Sequence, residues 1–467
     1  MFKESIGVTV ESGQTLALSI VAQAKAVPSV PAHAVTSAYT VTSVDTLPTL
    51  RLGCVDAGSM PVSTTAYTMD LHLGNMRQGV LRGEPTNKWY DFKQEENTPV
   101  STLQSALRTA GFYPVGEIDG VFGYRTLSAV RLFQEYVRNF EGKNDIGIPD
   151  GVAGSKTYEH MERWIKNNLR SRWTTISPAS PSPEYTNWLQ LLGKVKDHYM
   201  VKKDQKDIQM VNAYTKATDT LKADEWDFAT DKVHLIGVRR KETLVSSARV
   251  PDDLFILLIN GMVFTFWGST DPNEQEAGTT KEAFLLRGQH QYRLAWHSIG
   301  EKTWKKSYRA FRPRKHGVLL VRDLDDSDAL TSADYDAAKD KADKSTIVNI
   351  HWSGIGTYNF SGGCQVIAGR SYIGYLGKLV DCTEYAARNN GALSAKKTRA
   401  AYNAFVDLVT VFSQELHNWD GDILYYTLIY ESDLTLLPGI EATFAADTVA
   451  SLKKDPGETP APGATIS

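Results

Sequence analysis

The stretch HWSGIGTYNFSGGC, from His351 to Cys364, sets an imidazole and a thiol 13 residues apart (364 − 351) with a glycine-rich turn between them. His351 ends an apolar, strand-like run, TIVNIHW, and Cys364 opens another, CQVIAG. If the two runs are neighbouring strands, Gly354, Gly356, Gly362 and Gly363 let the chain return without steric strain. Both side chains then reach the same end of a sheet. An imidazole beside a thiol lowers the cysteine pKa and supplies a proton shuttle. Gly362 and Gly363 leave backbone N–H groups accessible beside Cys364, which an oxyanion site requires. The bland reading of the same residues is a buried strand-end cysteine and a core histidine.

Other reactive side chains carry less. The three cysteines are odd in number and fit no zinc spacing, so they form neither a disulfide framework nor a metal centre. Cys382 and Cys54 read as packing residues. His290 and Tyr292 alternate on a strand-like run and could line a groove, while His297 and His316 fit cleft walls and surface turns equally well. No phosphate-binding glycine loop, metal-ligand cluster or basic aromatic stripe stands out. Nucleotide, metal and nucleic-acid functions are therefore not expected, and neither is a cofactor.

The elements that must position these residues belong to a chain of 467 residues with net charge −3, long enough for two to four domains. That charge makes no case for a polyanionic partner. No apolar run approaches the ~20 residues of a membrane helix. The stretch LALSIVAQAKA, residues 16–26, is short, broken by Ser19 and Gln23, and reads as a strand rather than a signal peptide. Residues 1–92, rich in Val, Thr, Ser and Ala, suggest a β-rich docking domain. Residues 93–172 turn to helices and tight loops. Residues 173–230 begin with the proline-rich SPASPSPEY and continue as two packing helices. Residues 231–437 are strand-rich with one late helix, and 438–467 have the composition of a tail.

Within 93–172 one device occurs twice, Asp-Gly-x-x-Gly-x-x-Thr followed by a helix. It uses Asp119, Gly120, Gly123 and Thr126, then Asp150, Gly151, Gly154 and Thr157. Ser101 or Thr102 is the expected cap of the first helix, Leu103 and Leu107 share a face, and Gly111 ends it. Thr126 is the expected cap of the second. Together with Phe122, Ala129, Val130, Phe133 and Gln134, these residues resemble the three-helix peptidoglycan-binding domain of bacterial amidases and phage endolysins. That resemblance implies peptidoglycan as partner and Asp119, Gly120, Phe122, Gly123, Thr126, Asp150, Gly151, Gly154 and Thr157 as its binding residues.

The set His351, Ser361, Gly363 and Cys364 resembles the L,D-transpeptidase hallmark, a histidine followed some way on by Ser-x-Gly-Cys. The resemblance covers roughly residues 231–380. It implies Cys364 as nucleophile, His351 as general base, and Ser361 orienting the histidine or binding substrate. The Cys364 amide, with Gly362 and Gly363 beside it, would supply the oxyanion site. Two departures stand out. The His–Cys spacing is shorter than in many transpeptidases, and Gln365 follows the cysteine where an arginine is common, with Arg370 as a substitute.

The fold expected is thus multidomain α+β: an N-terminal β-rich domain, a three-helix peptidoglycan-binding domain, a helical linker, and a mainly-β L,D-transpeptidase-like domain. The implied reaction attacks a stem-peptide amide carbonyl, forms a thioester and releases the amine. The setting expected is a phage virion, in its tail or baseplate, with virion structural proteins bound through 1–92 and the tail and no membrane span. The alternatives are a non-catalytic adhesion or assembly protein and an exported bacterial enzyme of the periplasm.

Overall fold

The computed structural model describes residues 43–52, 54–56, 99–201, 205–240, 251–278, 281–297, 308–327, 329–339, 341–354, 358–387, 399–413, 423–440 and 452. The expectations for the rest of 1–92 and, within the 438–467 tail, for 441–451 and 453–467 lie outside the described residues.

Three helices, α1 (Val100–Ala110), α2 (Tyr124–Glu135) and α3 (Ser155–Lys166), build the helical region around an aromatic cluster of Phe112, Phe133, Tyr136 and Trp164. Their start signals differ from expectation. Neither Ser101 nor Thr102 caps α1; the Asp56 carboxylate accepts the Val100 and Ser101 amides instead. Thr126 lies inside the first turn of α2, whose preceding residue is Gly123. A carboxylate from a distant segment does the work a local hydroxyl was expected to do.

Asp56 belongs to a second departure. Residues 43–52 and 54–56, expected within a separate β domain, join the helical region. Leu50 bridges to Ala153 and Val55 to Val121, and Val44, Leu50 and Cys54 are buried in the helical core. Cys54 is thus a packing residue, but of this core.

The proline-rich segment is pinned down. Ser177 and Ser180 form a bridge, the Ser182 amide donates to Gly261 O (2.9 Å), and Asn260 Nδ2 donates to Ile176 O (3.3 Å). Two packing helices follow, α4 (Pro183–Val201) and α5 (Lys206–Ala213).

The strands are β1 (Thr220–Leu221), β2 (Val233–Arg239), β3 (Asp253–Ile259), β4 (Met262–Ser269), β5 (Ala283–Leu285), β6 (Gly288–His297), β7 (Tyr308–Pro313), β8 (Val318–Arg322), β9 (Asp343–Ser345), β10 (Ile350–Trp352), β11 (Gln365–Ile373), β12 (Leu379–Asp381) and β13 (Leu424–Tyr430). Short helices α6 (Glu274–Ala277) and α7 (Ser332–Ala337) lie between them, and α8 (Ala400–Phe412) precedes β13. The order β6-β13-β2-β3-β4-β11-β10-β7 closes on itself because β7 pairs back with β6. The ring is therefore barrel-like, with β1 added at β6 and β12 at β11. β2 with β13 and β10 with β11 are parallel; the other pairs in the ring are antiparallel.

Period-2 alternation divides the core. Ile236, Val238, Leu254, Ile256 and Leu258 face the helices, packing with Trp188, Leu191 and Tyr199 of α4. Their neighbours Leu235, Phe255, Leu257 and Ile259 join the other core, which includes α8. With both faces covered, β3 reads as the unbroken apolar run LFILLI.

Helix α8 is apolar all round and packs against α2 and β11. Its one acid, Asp407, accepts from Ser128 Oγ (2.6 Å) and Tyr385 Oη (2.9 Å) and pairs with Arg131 (3.5 Å). Trp173 packs on Phe264 and Phe412, and Arg125 donates to Ser413 O (2.8 Å). The helical region and the barrel thus share a continuous core, where the sequence suggested two modules on a tether.

Candidate active site

Cys364 is the residue before β11, and His351 is the middle of β10. The parallel register sets Ile350 level with Gln365 and His351 level with Val366. Residues 349, 351, 364 and 366 therefore share one face, with the histidine two residues, about 7 Å, further along than the cysteine. The expected neighbouring strands are present, and they run parallel. Cys364 Sγ accepts the Asn349 amide (3.2 Å) and donates to Ile347 O (3.5 Å). His351 Nδ1 lies 2.8 Å from Trp352 O and 3.2 Å from Tyr308 Oη. No hydrogen bond joins the imidazole to the thiol.

A carbonyl only accepts, so the contact to Trp352 O puts the proton on Nδ1 and leaves Nε2 as the basic nitrogen. Burial lowers the His351 pKa to about 4, against a smaller upward pull from Trp352 O. Burial also pushes the Cys364 thiol up, opposed by the Asn349 amide, the Ser361 hydroxyl and the charge of Arg312. Both shifts favour neutral thiol beside neutral imidazole over a thiolate–imidazolium pair.

Ser361 does not touch the histidine. Its Oγ accepts the amides of Cys364 (2.6 Å) and Gly363 (3.2 Å) and donates to Cys364 O (3.1 Å). The Cys364 amide, expected in an oxyanion site, is thereby occupied. Gly362 and Gly363 answer to packing: a Cβ on the first would lie 2.6 Å from Ala277 Cα, and on the second 2.7 Å from Ala283 Cβ. Both press the thiol turn against α6 and β5, where Gly362 O accepts the Ala283 amide (3.1 Å).

Arg370 is six positions beyond Cys364 on β11, roughly 20 Å at strand rise, so it does not substitute for the missing arginine. The cation that acts on the thiol is Arg312 of β7. His290 and Tyr292 line no groove; both are fully buried, and His290 is held by Thr220 Oγ1 and Leu286 O at 2.9 Å each. His297 is closer to the chemistry, its ring 4.7 Å from that of His351.

The duplicated loops are one hydrogen-bond pattern built twice. Gln104 Nε2 donates to Asp119 Oδ1 (2.8 Å), Val121 O (3.1 Å) and Thr126 Oγ1 (3.0 Å), while its Oε1 accepts the Gly120 amide (3.0 Å). Gln134 repeats this with Asp150, Val152 O and Thr157, and accepts the Gly151 amide (2.9 Å). Asp119 and Asp150 each accept the amide two residues on. Gly120 (φ 69°) and Gly151 (φ 83°) supply the left-handed turn.

Residues 96–161 match the peptidoglycan binding domain family. Spore cortex-lytic enzymes of Bacillus cereus, from strain ATCC 14579 and from the species at large, are each 43% identical over 68 residues. That stretch is 14% of this chain and 22% of the relatives' length, so the likeness spans about a fifth of them. Residues 96–161 are a peptidoglycan-binding domain. No solved structure matches the chain.

In this peptidoglycan-binding domain the motif residues serve the fold. Phe122 is wholly buried, Thr126 and Thr157 nearly so, and Gly120, Gly123 and Gly151 are buried in the turns. Asp150 and Gly154 are half-buried, and Asp119 is exposed. Gln134 is among the residues that carry the family resemblance and Gln104 is not, and neither was expected among the binding residues. The signal for them is a Gln 15 residues before Asp119 (119 − 104) and 16 before Asp150 (150 − 134).

Among the described residues one acidic cluster lies elsewhere: Asp323, Asp325 and Asp334 bring carboxylate oxygens within 4.8 Å of one another. Asp334 accepts the Thr331 and Leu324 amides at the start of α7, a local capping role.

Proposed function

We propose that this protein holds peptidoglycan through residues 96–161 and cleaves a stem-peptide amide at Cys364 by way of a thioester, with His351 Nε2 as proton acceptor. The observation that carries the reading is the fusion, through one continuous core, of a peptidoglycan-binding domain to a barrel-like sheet bearing a partly exposed thiol. That thiol shares its face with a neutral imidazole whose Nδ1 is held by Trp352 O. The resemblance of His351, Ser361, Gly363 and Cys364 to the L,D-transpeptidase hallmark supports the same chemistry. Productive attack requires the imidazole and thiol to close the two-residue offset, and requires oxyanion donors other than the Cys364 amide.

A second reading, a binding and assembly protein on a silent catalytic fold, is favoured by two observations. The Cys364 amide is occupied by Ser361 Oγ, and His351 makes no bond to the thiol. Purified peptidoglycan digested with wild type and with Cys364→Ala, and analysed by mass spectrometry, separates the two. New stem-peptide fragments lost in the variant establish the hydrolase, and a free-amine acceptor joined to the product would mark transpeptidation. Blank digests with wall pull-down retained establish the binding protein.

We further propose a phage tail or baseplate as the setting, a reading that rests on the sequence of the flanking segments. Its test is mass spectrometry of purified particles, with a bacterial envelope fraction as the opposing result.

A further inference from the structure

Arg312 faces Arg293 directly across the antiparallel pair of β6 and β7. Like charges in that position are destabilising. Burial, and then the charge of Arg312, hold the Arg293 pKa down to about 10. Arg293 has an outlet, donating from Nε to Arg314 O (2.9 Å). Among the described residues the Arg312 side chain has no hydrogen-bond or ion-pair partner.

Phe311, Ile350 and Gln365 stand level across β7, β10 and β11. One step along, the same register sets Arg312, Asn349 and Cys364 in a row on one face. Asn349 is 6% exposed; its amide donates to Cys364 Sγ, its carbonyl accepts the Gln365 amide (2.9 Å), and its Oδ1 has no hydrogen-bond partner. The row thus reads open cation, open acceptor, thiol. A buried acceptor left unmatched costs stability, which is recovered when a ligand N–H fills it.

We propose that Arg312 and Asn349 form a subsite beside Cys364 for a substrate with a free carboxylate within one residue of the scissile amide. This deepens the cysteine-site reading and rests on it. The guanidinium takes the carboxylate and Asn349 Oδ1 accepts an amide N–H. With both ends fixed, sulfur attacks the carbonyl carbon, the S–C bond forms, and the C–N bond breaks. The thiol proton goes to the departing nitrogen, and water then cleaves the thioester.

The test is alkylation of Cys364 by iodoacetate and by iodoacetamide, followed by mass spectrometry of the peptide that contains it. In each case sulfur displaces iodide, and only the first reagent is anionic. The ratio of the two rates cancels any change in thiol pKa. In wild type the ratio favours iodoacetate relative to free cysteine. Arg312→Gln lowers it about tenfold, the worth of one charge-assisted hydrogen bond. Arg312→Lys keeps part of the preference, Asn349→Asp reverses it, and Arg370→Gln leaves it unchanged. A wild-type ratio no higher than that of free cysteine, or a ratio the same in wild type, Arg312→Gln and Asn349→Asp, overturns the subsite. Alkylation needs no turnover, so a blank peptidoglycan digest would sink the hydrolase reading while leaving this result standing.

Discussion

The loop locks of the peptidoglycan-binding domain and the thiol turn of the barrel use the same device, a side chain that ties down backbone amides. Their surroundings differ. In the locks, Gln104 and Gln134 each spend both ends of the amide on named partners, and the ring of donors and acceptors closes. Beside the thiol, Ser361 closes the turn, but Asn349 Oδ1 stays open one strand away. A saturated polar network buried in a fold holds that fold together. An unsaturated one beside a thiol leaves an acceptor unmatched, which is the ground for the subsite we propose.

The sharpest way to break this comparison is through stability. Asp407→Ala takes the acid partner from Arg131, Ser128 and Tyr385 and is expected to cost about 3–5 kcal/mol in urea unfolding. Gln134→Ala, which strands the Gly151 amide and removes the donor shared by Asp150, Val152 O and Thr157, should cost about 2–4 kcal/mol. Asn349→Ala should cost under about 1 kcal/mol, because its Oδ1 has nothing to lose. Equal costs for Gln134→Ala and Asn349→Ala would erase the distinction. Gly363→Ala, which drives a methyl into Ala283, is expected to cost about 1–3 kcal/mol, read by thermal melting.

The two regions also answer pH in opposite directions. Burial raises the Glu135 pKa in α2 from 4.5 to about 8. Its contribution to stability is complete below 4.5 and is lost as pH rises through about 8. Burial lowers His290 from 6.5 to about 3 and His351 to about 4. Their contribution is complete above 6.5 and is lost as pH falls toward those values. Glu135→Gln should flatten the loss on the alkaline side, and His290→Gln the loss on the acid side. Each removes a slope of up to about 1.4 kcal/mol per pH unit, measured by urea unfolding from pH 4 to 8. The smallest effect on thiol reactivity is expected from Ser361→Ala. Losing a hydrogen bond that holds the thiol pKa down, Cys364 should alkylate a few-fold more slowly at neutral pH, and stability should fall by about 1 kcal/mol.

The repeated Asp-Gly-x-x-Gly-x-x-Thr pattern and the placement of His351 and Cys364 on neighbouring strands were legible in the order of residues, because each is set by local backbone chemistry or alternation. The closing glutamines were harder to read, since they sit a helix and a loop away from the aspartates they serve. Asp56 as the cap of α1, and residues 43–52 and 54–56 within the helical core, depend on chain segments whose meeting no local pattern announces.

The sequence by itself determined the peptidoglycan-binding domain, the strand-rich character of the second half and the residue types at the thiol, for those follow from short-range spacing. Tertiary structure decided the rest: that the proline-rich segment is pinned, that α8 joins helices to barrel, and that Arg312 rather than Arg370 acts on Cys364. The physical reason is register. Arg312 and Cys364 are 52 residues apart (364 − 312) and come level only because β10 pairs with both β7 and β11.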